Sequence, residues 1–371
     1  MRRAITIPSV AIASIGLVAA LLTAQDRPAS LAASPEQTSQ EFKLPEINPR
    51  PYQVILVSVD GLRPDAVIRL GQKKAPHFHR LRREGAFTDN ARTAARFTVT
   101  LPNHTGMVTS RLVAGEAGHN WTENSDPSLG MDLHRNKGEH IYSAFSVAHD
   151  YGYRTALFAS KSKFMLFDIS YGPENGAPDP IAPNNGRDKI DRYFVRMLSE
   201  PVVDELERTM KRETFGFTFL HIRNPDTAGH ALSWTLNEPS LYMNAVRRAD
   251  EMIGDVFEKI DTVPTWRGRT YLIVTADHGG PDHLKEHNEW EKPQNFTIPF
   301  YVWGPDVPRG ADLYAMNPTS RRDPGQSNPA FSQDGTEPIR NADAGNLALS
   351  LLGLPPIPGS SVNAFQNLKV R

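Results

Sequence analysis

From Tyr52 onward the chain alternates between two textures. Short runs in which almost every position is apolar, "YQVILVSVD" (52–60), "RTALFAS" (154–160), "FGFTFLHI" (215–222), "TYLIVTAD" (270–277) and "IPFYVWGP" (298–305), are separated by amphipathic stretches. A strand that faces water on one side alternates apolar and polar residues, so unbroken apolar runs of this length predict strands buried on both faces. The amphipathic stretches predict helices over Pro76 to Glu84, Lys137 to Asp150, Asp188 to Arg212, Glu238 to Ile260 and Ala342 to Leu352, the last stopped by "LGLPPIPG". Another helix begins around Pro102, whose missing N–H suits a first helical position and places Thr100 at the helix mouth. Strand and helix in alternation give an α/β class, a mostly parallel central sheet with helices on both faces. No internal repeat is present. Two long loops rich in Pro, Gly, Asn and Asp, 171–188 and 317–338, read as surface excursions rather than domain boundaries.

The first fifty residues have a different pattern. Arg2 and Arg3 are followed by no charged residue until Asp26, and the apolar, small-residue stretch between them has the form of a secretory signal peptide. Cleavage is expected after Ala24, with a second candidate near Ala33; an uncleaved membrane anchor is the alternative. Residues 25–50 read as a flexible linker and 51–371 as one folded domain, exported to a periplasmic or extracellular compartment.

Charge and composition narrow the chemistry. Forty-one Lys and Arg balance 42 Asp and Glu, so no basic surface suited to a long nucleic acid is implied. The chain has no cysteine, which excludes disulfides, thiolate metal sites and a cysteine nucleophile. A metal ion would have to use His, Asp, Glu or hydroxyl ligands.

In open α/β sheets, ligands bind beyond the carboxyl ends of the strands. The apolar runs end there on Asp60, on Asp226 and His230, and on Asp277 and His278, with His283 and His287 just beyond a Gly-Gly turn. One such Asp is ordinarily a turn residue. Together these groups supply enough oxygen and nitrogen ligands for two metal ions. Lys161 and Lys163 follow another strand at the same edge, where they can meet a substrate's negative charge. His104 reads as structural or as a support behind the site, His119 has no ligand spacing, and His221 reads as a satisfied core histidine.

The stretches "ILVSVDGLRPD", "TVTLPNHTGMVTSR", "NPDTAGH" and "TADHGG" resemble, in order, the signature blocks of the alkaline phosphatase superfamily in its nucleotide pyrophosphatase/phosphodiesterase branch. The resemblance runs from about Tyr52 to "LALSLLGLPPIPG". It implies two Zn2+, or another divalent ion: Asp60, Thr100, Asp277 and His278 in the first site, and Asp226, His230 and one more histidine in the second. Longer members take that last ligand from near the C-terminus, where this chain has no histidine after His287. Nine residues separate His287 from "TIPF", as in short exported relatives, and His287 is the choice, with His283 in reserve. Thr100 would attack phosphorus and form a phospho-threonine, with Asn103 and the Leu101 N–H donating to phosphate oxygens. The implied substrate is a small phosphodiester or nucleotide pyrophosphate. Phosphonate hydrolysis or phosphomonoester hydrolysis is the alternative, and the absence of a Cys/Ser-x-Pro-x-Arg motif argues against a sulfatase. A metal- or ligand-binding protein without turnover would not need Thr100.

Overall fold

The computed structural model describes residues 51–181, 184, 186–332 and 337–371, so the expected leader and linker lie outside the described residues. Eight strands form one sheet: β1 (Gln53–Val59), β2 (Ala86–Arg92), β3 (Thr155–Ala159), β4 (Arg192–Val195), β5 (Phe217–Ile222), β6 (Thr270–Thr275), β7 (Thr297–Trp303) and β8 (Ala311–Asp312). Their order is β4-β3-β5-β1-β6-β7-β2-β8. All neighbours pair in parallel except at β7, which runs antiparallel to both β6 and β2. Every residue of β1, β3, β5 and β6 is buried, as the unbroken apolar runs require.

Eight of the helices form two mutually contacting groups. Pro64–Lys74, Pro76–Glu84, Ser199–Met210, Asn224–Ala231 and Leu241–Thr262 form one; Thr100–Thr109, Ala144–Asp150 and Asp343–Leu352 form the other. The long helix Leu241–Thr262 is held at its start by Ser240, which accepts from the Met243 N–H, and buries Val246, Ile253, Val256 and Ile260.

Three expected helices are redrawn. Lys137–Asp150 breaks in two because Gly138 takes a left-handed conformation (φ 82°) and ends Leu133–Lys137, after which Ser143 caps Ala144–Asp150. The start of the expected Asp188–Arg212 helix is instead β4, whose aromatic and β-branched residues pair beside β3, and the helix begins only at Ser199. The helix at Pro102 starts earlier, at Thr100, after Val99 in extended conformation; Pro102 is then its third residue, where its missing N–H still costs no helical bond.

Candidate active site

Four adjacent parallel strands, β3, β5, β1 and β6, bring their carboxyl ends side by side. Neighbouring strands lie about 5 Å apart, so residues just beyond those ends must meet. β3 leads to Lys161, β5 to Asp226 and His230 on the Asn224–Ala231 helix, β1 to Asp60, and β6 to Asp277 and His278. The loop after β2 brings Thr100 to the same place at the start of its helix. The site is thus a direct product of strand order.

Lys161 lies at its centre. Its Nζ is 2.6 Å from Asp60 Oδ2, 2.7 Å from Asp226 Oδ2 and 3.4 Å from Thr100 Oγ1. A solvated lysine is the ordinary outcome at a strand end; this one is buried, and burial is outweighed by three carboxylates that push its pKa up. The carboxylates do not share that benefit equally. Burial disfavours the charge on each, yet Lys161 and the His221 hydrogen bond hold Asp60 well below the usual carboxylate range, whereas burial and its two acidic neighbours drive Asp277 well above it. Three carboxylates and one ammonium leave the site short of positive charge.

The imidazoles are arranged to supply lone pairs. His278 has its Nδ1 2.9 Å from the Gly279 carbonyl, and His287 its Nδ1 2.5 Å from the Thr98 carbonyl. With Nδ1–H donating in each case, Nε2 carries the ring's lone pair on the side of the carboxylates, the tautomer a metal ligand needs. His287 Nε2 lies 3.1 Å from His230 Nε2 and 3.7 Å from Asp226 Oδ1, and His230 Nε2 lies 3.2 Å from the same oxygen. Burial lowers the His287 pKa to about 3, which keeps the ring neutral. His283 is exposed and stands outside the cluster.

Asp60 Oδ1, Asp226 Oδ1, Asp277 Oδ2 and His278 Nε2 are all buried without a hydrogen-bond partner. His278 Nε2 lies 3.5, 3.8 and 3.2 Å from those three oxygens in turn. Buried polar atoms are rarely left unpaired, so four that converge fit the ligand shell of a divalent cation. Asp60, Asp277 and His278 form one ligand-sized group, and Asp226, His278 and His287 another.

Several expectations change in detail. Asn103, expected to donate to a phosphate oxygen, gives its amide hydrogens to the Phe97 and Val99 carbonyls (2.8 and 3.0 Å), and its Oδ1 accepts from Ala94 N–H and Asn341. It braces the loop before Thr100. The Leu101 N–H at the helix mouth donates to Asn124 Oδ1 at 2.9 Å, and Lys163 bonds the same residue. Nothing in the sequence singled out Asn124, which lies in a polar loop without periodicity. His221 is a core residue as expected, but its Nε2 lies 2.8 Å from Asp60 Oδ2 and its Nδ1 3.0 Å from Ser160 Oγ, so it orients a site carboxylate. His104 spans Thr100 O (2.7 Å) and Ser58 Oγ (2.8 Å), and His119 meets Pro102 O at 3.1 Å. A third His/Asp group, His149, Asp150 and Asp179, has Lys189 bridging both carboxylates.

Fold and site together define a doubly covered α/β protein of the alkaline phosphatase type. Residues 54–343 match the model of the type I phosphodiesterase/nucleotide pyrophosphatase family, and the chain belongs to that family. Murine ectonucleotide pyrophosphatase/phosphodiesterase 5 has a similar fold, with a TM-score of 0.57 at 15% identity over 86% of this chain and 99% of that one. The lipoteichoic acid synthase LtaP of Listeria monocytogenes superposes with a TM-score of 0.56 at 15% identity, over 86% and 76% of the two chains. Among curated sequences, a 2,3-bisphosphoglycerate-independent phosphoglycerate mutase of Pyrococcus abyssi is 35% identical over 74 residues, 20% of this chain and 16% of the mutase. The matches to such relatives span between 16% and 34% of their length. Among the described residues, no helix is long and apolar enough to cross a membrane.

Proposed function

We propose that the chain is an exported hydrolase of phosphodiester or nucleotide pyrophosphate bonds that uses two divalent ions, zinc by preference, and Thr100 as nucleophile. The carrying observation is the convergence of four unpaired buried ligand atoms, with Lys161 Nζ reaching Asp60 and Asp226 of that group and also the Thr100 hydroxyl. Asp60, Thr100, Asp277 and His278 would hold one ion, and Asp226, His230 and His287 the other. Ions bound there lower the pKa of a coordinated hydroxyl and offset charge on the attacking and leaving oxygens.

The rest falls to the chain. Thr100 Oγ1 forms the new bond to phosphorus while the bond to the leaving alcohol or phosphate oxygen breaks, giving a phospho-threonine that water then cleaves. The N–H groups of the first helical turn, Leu101 foremost, and the positive end of the helix dipole face the non-bridging oxygens. Asn124, already bonded to the Leu101 N–H, is placed to yield that donor to substrate and to offer its own amide. Lys161 adds a fixed positive charge beside the nucleophile and keeps Asp60 and Asp226 ionised. The charged leader region, with Arg2, Arg3 and an apolar run to Ala24, supports export of a domain spanning 51–371.

Rapid acid quench during turnover of bis-p-nitrophenyl phosphate, followed by mass spectrometry, tests the covalent step. A phosphoryl-type adduct on the peptide containing Thr100, absent from Thr100→Ala, is expected; an adduct on another residue would refute it. Comparing p-nitrophenyl phosphate, bis-p-nitrophenyl phosphate, nucleotide pyrophosphates and phosphonates then ranks the substrate classes, with the diester or pyrophosphate fastest.

A further inference from the structure

Trp234 lies outside the four motifs, four residues beyond His230, and is fully buried. Its ring centroid is 5.8, 6.0 and 5.6 Å from those of His230, His278 and His287. Three glycines close around it. A Cβ placed on Gly61, Gly229 or Gly280 would come within 2.5, 2.3 or 2.0 Å of the indole. Each glycine adjoins a ligand in the sequence: Gly61 follows Asp60, Gly229 precedes His230, and Gly280 is two residues past His278. Arg63 Nη1 donates to both the Trp234 and Gly280 carbonyls at 3.0 Å, and the Tyr242 hydroxyl donates to the Gly61 carbonyl at 2.8 Å. One rigid ring therefore touches the backbone of all three ligand-bearing segments and the faces or edges of three imidazoles.

We propose that Trp234 is a positioning residue for the metal centre: it fixes the spacing between the end of β1, the Asn224–Ala231 helix and the turn after β6, and holds the three histidine rings in place before an ion arrives. The indole is large and has only two side-chain torsions, so it transmits position with little loss of order. The glycines are small because the backbone must approach the ring that closely. A binding site whose ligands are held by their surroundings loses about 10–100-fold in metal affinity when a supporting residue is removed. The proposal rests on the metal reading above.

Zinc affinity of the chelator-stripped protein, measured by competition with a chromophoric chelator, tests it in wild type, Trp234→Phe and Trp234→Leu, with circular dichroism and melting of each metal-free protein as the folding control. About 10-fold weaker binding is expected for Phe, which keeps one aromatic ring, and about 100-fold for Leu. Should Trp234→Leu fail to fold, Trp234→Phe carries the test. Folded variants that bind zinc as tightly as wild type overturn the positioning role alone. A wild-type chain that takes up no zinc overturns the metal reading and this proposal with it.

Discussion

The two halves of the site are built from different material. Asp60, Asp277 and His278 follow two adjacent central strands and Thr100 opens a buried helix, and all four are at most 2% exposed. Asp226 and His230 stand on an eight-residue helix, His287 on the loop between β6 and β7, and His230 keeps 37% of its side chain exposed. One half inherits its geometry from the sheet; the other depends on contacts made by a loop, those of Thr98, Trp234 and the stacked His278 ring with His287. On the proposed two-ion reading, the inner half should therefore decide whether chemistry occurs, and the outer half how firmly its ion stays.

The largest expected effect lies in the inner half. Thr100→Ala should lower kcat for bis-p-nitrophenyl phosphate by roughly 10³-fold or more, as loss of a nucleophile does, while elemental analysis finds most of the zinc retained. Substantial residual turnover would remove the covalent step; loss of both ions would mean that the inner half is not held by the sheet. In the outer half, His287→Ala should weaken zinc binding on the order of 10–100-fold and reduce activity at limiting zinc, with recovery as zinc is raised. His283→Ala should change neither. If His283→Ala alone lowers zinc content, the outer half has been assigned to the wrong loop residue.

The inner half was also the more legible in the sequence. Asp60, Asp277 and His278 terminate runs whose apolar character already gives strand and direction, and the strand-end rule places them at one edge. The outer half needed more: His283 and His287 are four residues apart in the same loop, and no local pattern separates them. The choice of His287 rests on resemblance to short relatives; the fold buries His287 and leaves His283 exposed. Side-chain partners were least legible. Asn103 and Asn124 are the same residue type, and no local pattern tells which amide is spent on backbone carbonyls and which stands at the helix mouth. β4 was missed because four half-buried residues at a sheet edge carry little periodic signal, and the short strand β8 carries less still. Trp234 shows what lies beyond pattern reading, since the glycines of three separate motifs acquire a common reason only in three dimensions.

A smaller effect probes how the inner half is held from behind. His119 is fully buried, with Nε2 against the Pro102 carbonyl and Nδ1 accepting from the Trp121 N–H, and burial lowers its pKa from 6.5 to about 3. Because the folded pKa is the lower one, the unfolded chain binds the extra proton between those values. The stabilisation is complete above pH 6.5 and is lost as pH falls toward 3, by about 1.4 kcal/mol per pH unit. Urea midpoints of the metal-free protein at pH 7 and pH 5 should thus fall less in His119→Gln than in wild type; parallel slopes would show that His119 does not titrate with folding.

The most direct test of the account is the rate of bis-p-nitrophenyl phosphate hydrolysis before chelation, after exhaustive treatment with EDTA, and after addition of zinc. The proposed two-ion site predicts activity that disappears with the chelator and returns with zinc at a stoichiometry of about two ions per chain, the number its two ligand sets imply. Equal rates with and without chelator would contradict it.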